Sequence, residues 1–301
     1  MNSTFKIIFF LGIILSQLVV NAQHPMQAVN QQIRDSISRS GASIAVAFKD
    51  LQTGNTLYIN EKKTYHAAST MKFPVLIELY KQAAENRYSL TDSLVLNNSF
   101  KSIADSSRYS LNDSDDTETG LYRKLGRKIA IKDLAYLMIT KSSNLATNTL
   151  IQLVRPAGIM QTLRQLGAND TRVLRGVEDQ KAYDKGLNNT TTAFDLALLY
   201  EQLAKKELVS EKADQSMIKI LMDQQLNEVI PALLPENVKV AHKTGNIEGL
   251  QHDSGIVFLP DGRKYVLVLL STFRPDQTRD AISTLAHISK LIYDAETAQK
   301  D

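Results

Sequence analysis

Ser69 and Lys72 stand three positions apart at the opening of an apolar-periodic run, just after Ala67-Ala68. On a helix, residues three apart share a face with Cβ atoms about 5–6 Å apart, so the amine can reach the hydroxyl. That is a nucleophile beside a possible base. The spacing also occurs at Ser3–Lys6 and Ser216–Lys219. Taken alone, such a pair reads as a helix-capping serine followed by a solvated lysine, and both further copies are expected to be accidental.

Other candidates for chemistry follow in chain order. Lys141-Ser142-Ser143-Asn144 interrupts two apolar helical patterns with a polar elbow, where buried polar side chains need partners. Glu178 and Asp179 lie in a long polar segment from Thr171 to Asn189, and a loop of that length in a compact domain is more often functional than filler. Lys243-Thr244-Gly245 ends an extended run and is followed by Asn246. His242 and His252-Asp253 lie on or near strands without a metal-ligating or Ser-His-Asp pattern, so core or strand roles are expected and no metal site is.

The elements that must hold these groups read as follows. Gln27 to Ser38 is an amphipathic helix, and Ser43 to Phe48 with Thr56 to Ile59 forms a hairpin around Gly54. A helix starts near Ser69 and runs through Val75, Leu76, Leu79 and Ala83, with Pro74 tolerated in its first turn. Ser89 to Lys128 is polar and weakly patterned, and its acids Asp113, Asp115, Asp116 and Glu118 read as a solvated loop. Helices are expected over Ile131–Thr140, over Leu145–Val154, and again through Leu196 to Leu203 and Met217 to Met222. Strands follow at Val238–Thr244, Ser254–Leu259 and Tyr265–Ser271, and a helix over Thr278–Tyr293 closes the order. Terminal segments that feed one sheet around a helical insert imply an α/β (α+β) fold with a cleft at the junction. The α/β part is expected over about 23–65 and 205–301, and a helical part over about 66–204, within one catalytic domain.

Composition narrows the class. The chain has 301 residues, 43% hydrophobic and 22% charged, which suits a globular protein with a sizeable core. Its 35 basic and 32 acidic residues form no basic block, so no nucleic-acid footprint is expected. Residues 1–22 carry Lys6, an apolar run shorter than the roughly 20 residues needed to span a bilayer, and a small-residue end at Asn21-Ala22. They read as a cleaved secretory signal, leaving a periplasmic or secreted protein free of the membrane. With no cysteine there are no disulfides, and stability must come from the core.

Taken in order, S-x-x-K at a helix start, S-x-N at an elbow and K-T-G on a late strand make up the signature of class A β-lactamases and penicillin-binding proteins. The chain resembles the class A β-lactamase family of active-site serine hydrolases over nearly all of its length after residue 22. Ser142 and Lys243 are 101 positions apart, close to that family's usual gap. The resemblance implies that Ser69 is acylated, that Lys72 is a possible base, and that Ser142 relays a proton to the leaving nitrogen. It also implies that Asn144 holds the substrate's amide side chain, that Lys243 and Thr244 bind its carboxylate, and that the N–H groups of Ser69 and Asn246 form the oxyanion hole beside Gly245. A β-lactam is the implied substrate, with no cofactor and a monomeric enzyme. Two departures stand out. Ser143 replaces the aspartate that braces the family's elbow, and Arg175 is followed by Glu178 rather than by a glutamate two positions on. Glu178 is the candidate that activates the deacylating water, Asp179 its rival, and Asn189 replaces an acid that usually pairs with the arginine. The alternatives are a D,D-peptidase-like hydrolase that deacylates lactams slowly and a non-catalytic penicillin-binding sensor domain.

Overall fold

The computed structural model describes residues 25–298. The expected signal at 1–22 and the Ser3–Lys6 pair lie outside them. The chain opens with helix α1 (Pro25–Ser40), strands β1 (Ser43–Asp50), β2 (Thr56–Ile59) and β3 (Tyr65–His66), and helix α2 (Lys72–Ala84). The middle holds β4 (Ser93–Val95), β5 (Phe100–Lys101), β6 (Arg108–Tyr109), β7 (Lys128–Ala130), α3 (Ile131–Thr140), α4 (Asn144–Val154), α5 (Pro156–Gln165), α6 (Gln180–Asp184) and β8 (Thr190–Thr191). Helices α7 (Ala193–Lys205) and α8 (Glu211–Met222) lead to β9 (Lys239–Ile247), β10 (Leu250–Phe258), β11 (Lys264–Thr272) and α9 (Thr278–Ala298).

One antiparallel sheet runs β2-β1-β11-β10-β9, so both ends of the described chain supply its strands, as the α/β reading requires. Successive side chains on a strand point to opposite faces. On β1 this sends Ala45 and Ala47 into one apolar cluster and Ile44, Val46 and Phe48 into another. On β11, Val266, Val268 and Leu270 join the first and Tyr265, Leu267 and Leu269 the second. Burial on both faces explains why these strands read as nearly unbroken apolar runs. α1 and α9 cover the second face through Ile33, Leu285, Ile288 and Ile292. The first cluster continues into the helical middle, where every residue of α2 from Lys72 to Tyr80 is buried. Phe73 stacks on Tyr200 of α7 with ring centroids 4.1 Å apart. A Leu76→Ala cavity at the centre of α2 would cost about 2–5 kcal/mol.

Several expectations change. Residues 89–128 are not one solvated loop: β4 pairs with β7, β5 pairs with β6, and Asp116 is buried. α5, which has Pro156 at its first position, and the short α6 inside the polar segment escape the sequence pattern. β9 and β10 extend to a tight turn at Gly249 (φ +72°), because Gln251, His252, Asp253 and Ser254 are buried although polar. Their alternation therefore carries no hydrophobic signal. In the second Ser-x-x-Lys copy, Ser216 Oγ donates to Lys212 O and Lys219 is exposed on α8, as expected for an accident of spacing.

Candidate active site

Ser69 sits in a 3₁₀ turn, Ala68–Met71, that leads directly into α2 at Lys72. The helix thus begins at Lys72 rather than at Ser69, and Pro74 is its third residue, where a missing N–H costs least. Ala68, just before the nucleophile, has φ +43°. Ser142 (φ +57°) and Glu178 (φ +59°) share this left-handed conformation, which costs a non-glycine residue roughly 1–3 kcal/mol. Three such residues converge on one site, and each is fixed by its neighbours.

Lys72 is fully buried and donates to Ser142 O (2.6 Å), Ser142 Oγ (3.1 Å) and Asn144 Oδ1 (2.9 Å). Lys243, also buried, donates to the same Ser142 Oγ (3.2 Å) and to Thr244 O (2.9 Å). The Ser142 hydroxyl therefore bridges two lysines that come from opposite ends of the fold. Burial pulls the Lys72 ammonium down to about 7, while Asp116 and Glu178 act in the opposite direction. Lys243 is held well below its usual value by burial and then by the charge of Lys72.

Asn144 joins this pair to the polar segment, since its Nδ2 donates to Glu178 Oε1 at 3.3 Å. Burial, and then Asp115, raise the Glu178 carboxyl, partly offset by Lys72 and Arg175. Asp179 is committed elsewhere: its oxygens accept from Ile103 N (2.9 Å) and Ala182 N (3.2 Å), the latter as the cap of α6. Arg175 donates to Leu187 O, Gly176 O and Asn188 Oδ1, while Asn189 Oδ1 accepts from the backbone N–H groups of Leu174 and Arg175. The loop is closed by amides and carbonyls where an arginine–acid pair was the resembled arrangement.

Ser69, Asn144, Glu178 and Asn246 line one cleft of about 720 Å³, together with His66 and Asp115. β9 forms its wall, and Gly245 allows the close approach: a Cβ there would lie 3.2 Å from Ser69 N and 3.1 Å from Thr70 Cγ2. Lys72, Ser142, Lys243, Thr244 and Gly245 are buried and lie outside this lining, with Thr244 paired opposite Asp253. His242 Nδ1 is 2.9 Å from Asp253 Oδ1, and Nε2 is 3.1 Å from Asn227 Oδ1, so this pair ties β9 to β10 inside the protein.

Three residues that hold the site have no sequence motif. Asn148 Oδ1 accepts from Val177 N (2.7 Å) and its Nδ2 donates to Val177 O (3.0 Å), which fixes the residue before Glu178. Tyr109 donates to the same carbonyl at 3.2 Å. Asp116 accepts from the N–H groups of Asn144 and Leu145, both at 2.9 Å. Among the described residues no group of His, Cys, Asp and Glu side chains could hold a metal ion, and no helix is long and apolar enough to cross a membrane.

Comparison with known proteins agrees with this architecture. A β-lactamase of Bacteroides uniformis is 25% identical over 291 residues, covering 92% of this chain and 94% of its own. The solved structure of PBP-A superposes with a TM-score of 0.77 at 26% identity, over 91% of this chain and 97% of that one. A mutant of PBP-A, matched with a TM-score of 0.76 at 26% identity and the same coverage, is an acyl-enzyme complex with penicillin G. A β-lactamase structure from Sphaerobacter thermophilus gives a TM-score of 0.78 at 23% identity, covering 91% and 99%. The model of the β-lactamase enzyme family matches residues 28–295, nearly the whole described chain, and the protein belongs to that family of hydrolases.

Proposed function

We propose that the protein is a class A type serine β-lactamase, working through an acyl-enzyme on Ser69. The observation that carries this reading is the Ser142 hydroxyl, held at 3.1 and 3.2 Å from the ammonium groups of Lys72 and Lys243. In the first step neutral Lys72 takes the Ser69 proton, and Oγ attacks the lactam carbonyl. The N–H groups of Ser69 and Asn246 face the developing oxyanion across the space that Gly245 leaves open. Collapse breaks the lactam C–N bond, and Ser142 passes its proton to the leaving nitrogen, to be replaced through Lys72. Lys243 and Thr244 draw the substrate carboxylate, and Asn144 holds its amide side chain. Glu178 then takes a proton from water as that water attacks the ester; the bond to Ser69 Oγ breaks, the opened product leaves, and the proton passes back to Oγ to restore Ser69. Turnover of nitrocefin by the wild type, lost in Ser69→Ala, is the expected result; no turnover at high enzyme concentration contradicts it.

A second reading is a D,D-peptidase-like hydrolase that acylates on lactams and releases them slowly. The φ of +59° at Glu178 and the loop closed through Asn189 favour it, since they set the candidate deacylating group on a strained backbone. A mutant of PBP-A, a protein 26% identical to this chain, was captured as an acyl-enzyme with penicillin G. An adduct on wild-type Ser69 that persists for hours supports this second reading. For the chain's location we propose export behind a cleaved signal, which N-terminal sequencing of the mature protein tests, with Gln23 the expected first residue.

A further inference from the structure

The elbow that presents Ser142 and Asn144 has no acidic residue of its own, and Ser143 at its centre is completely buried. Its carboxylate comes instead from the acidic segment some thirty positions earlier. Asp116 is itself buried, and its Oδ2 accepts from Asn144 N and Leu145 N at 2.9 Å, from Tyr122 Oη at 3.1 Å and from Ser143 Oγ at 3.4 Å. Asn144 and Leu145 are the first two residues of α4, and their N–H groups have no partners inside the helix. Ser143 caps only the third, Ala146 N, at 3.3 Å. The helix start is thus completed by two pieces of chain, and a carboxylate sits at the positive end of its dipole. The segment makes other attachments to the same elbow. Asp115 O accepts from Asn144 Nδ2 at 3.5 Å, Thr117 donates to the carbonyl of Lys141, and Glu118 pairs with the Lys141 ammonium.

We propose that Asp116 is the positioning carboxylate of the active site, fixing the elbow from the acidic segment and holding Asn144 and Ser142 against Lys72. The role has two parts. As a hydrogen-bond acceptor it sets where the Asn144 amide sits, and that amide touches both Lys72 and Glu178. As a charge it belongs to the set facing Lys72, where Asp116 and Glu178 favour the ammonium and the buried Lys243 lies on the other side of Ser142.

The test is a double-variant cycle, read by melting temperature and by the rate at which a fluorescent penicillin labels Ser69. Its labelling arm rests on the acyl-transfer reading above; its melting arm does not. Asp116→Ala should slow labelling about 100-fold, the cost of a small misplacement at a reacting centre, and lower the melting temperature by a few degrees. Ser143→Asp in the presence of Asp116 should also be harmful, since it sets two carboxylates side by side in a buried site. In the Asp116→Ala background the same Ser143→Asp change should instead help, because aspartate is as good a cap as serine and could accept from the freed N–H groups. Recovery of at least about tenfold in labelling, with a rise in melting temperature, is expected there. Asp116→Asn keeps an acceptor without the charge, so the acid limb of the labelling profile should move down by about one pH unit while the rate at pH 8 stays near wild type. The proposal is overturned if Asp116→Ala labels at the wild-type rate, if Ser143→Asp is equally harmful in both backgrounds, or if the Asp116→Asn limb does not move. A wild type that is never labelled sinks the acyl-transfer reading, and the sign change in melting temperature then still decides the role of Asp116.

Discussion

The Lys72 ammonium lies 2.9 Å from Asn144 Oδ1, and the Nδ2 of that same amide reaches Glu178. One side chain thus connects the group suited to deprotonate Ser69 with the group suited to activate water. On the proposed mechanism the two half-reactions are separable by substitution, because Lys72 and Glu178 are held by different ends of the Asn144 amide.

On the proposed mechanism Lys72 sets the pH dependence of the first half-reaction. Its folded value, pulled down to about 7 by burial, means that the neutral amine accumulates as pH rises through that point. Labelling of Ser69 by penicillin should therefore rise with pH through about 7 and fall about tenfold per unit below it. Lys72→Arg, which stays protonated, should lower labelling by about 10²–10⁴. A stopped-flow profile from pH 5 to 9 measures both.

Ser142→Ala removes the shared acceptor of two buried ammonium groups. Leaving buried donors short of a partner costs about 1–3 kcal/mol, so both stability and acylation should fall. The expected loss in kcat/KM on nitrocefin is about 10²–10³. Chemical denaturation alongside kinetics separates the two losses.

Much of this arrangement was legible in the sequence, and the rest was hidden for physical reasons. Lys72, Ser142, Asn144 and Lys243 could be picked out because each stands beside a strongly patterned element, and their side chains form one hydrogen-bonded set. Asp116 was not legible: among Asp113, Asp115, Asp116 and Glu118 nothing local marks the one that turns inward, and four close acids read as solvated. Asn148, in the second turn of α4, looked like any polar helix residue, and its partner Val177 lies 29 positions away. The polar half of the β9–β10 hairpin was missed because its buried groups satisfy one another, as His242 and Asp253 do, so burial there does not follow hydrophobicity.

Asn148→Ala should affect the second half-reaction selectively. It strips the two hydrogen bonds that Asn148 makes to Val177, leaving Tyr109 on the carbonyl, and loosens the residue next to Glu178. The expected outcome is deacylation slowed at least about tenfold with acylation within a few-fold of wild type. Single-turnover mass spectrometry reads the two rates apart.

Gly245→Ala probes the close approach of β9. Its added Cβ would meet Ser69 N at 3.2 Å and Thr70 Cγ2 at 3.1 Å, so the strand must move away from the nucleophile by a few tenths of an ångström. A loss of about 10–100-fold in kcat is expected, with KM changing far less, because on the proposed mechanism the displaced N–H groups serve the developing oxyanion.

Glu178→Gln removes the acid from the site while its amide keeps an oxygen that can accept from Asn144. Acylation should persist, and release should slow by about 10²–10⁴, turning a transient adduct into a lasting one. An unchanged release rate would transfer the role away from Glu178.

The most direct test of the central claim is an acid-quenched time course of the wild type with penicillin G, followed by intact-mass and peptide analysis. An adduct of one penicillin per chain is expected on the peptide that carries Ser69, absent in Ser69→Ala and prolonged in Glu178→Gln. No adduct at any time in both the wild type and Glu178→Gln, or one on a residue other than Ser69, would contradict it.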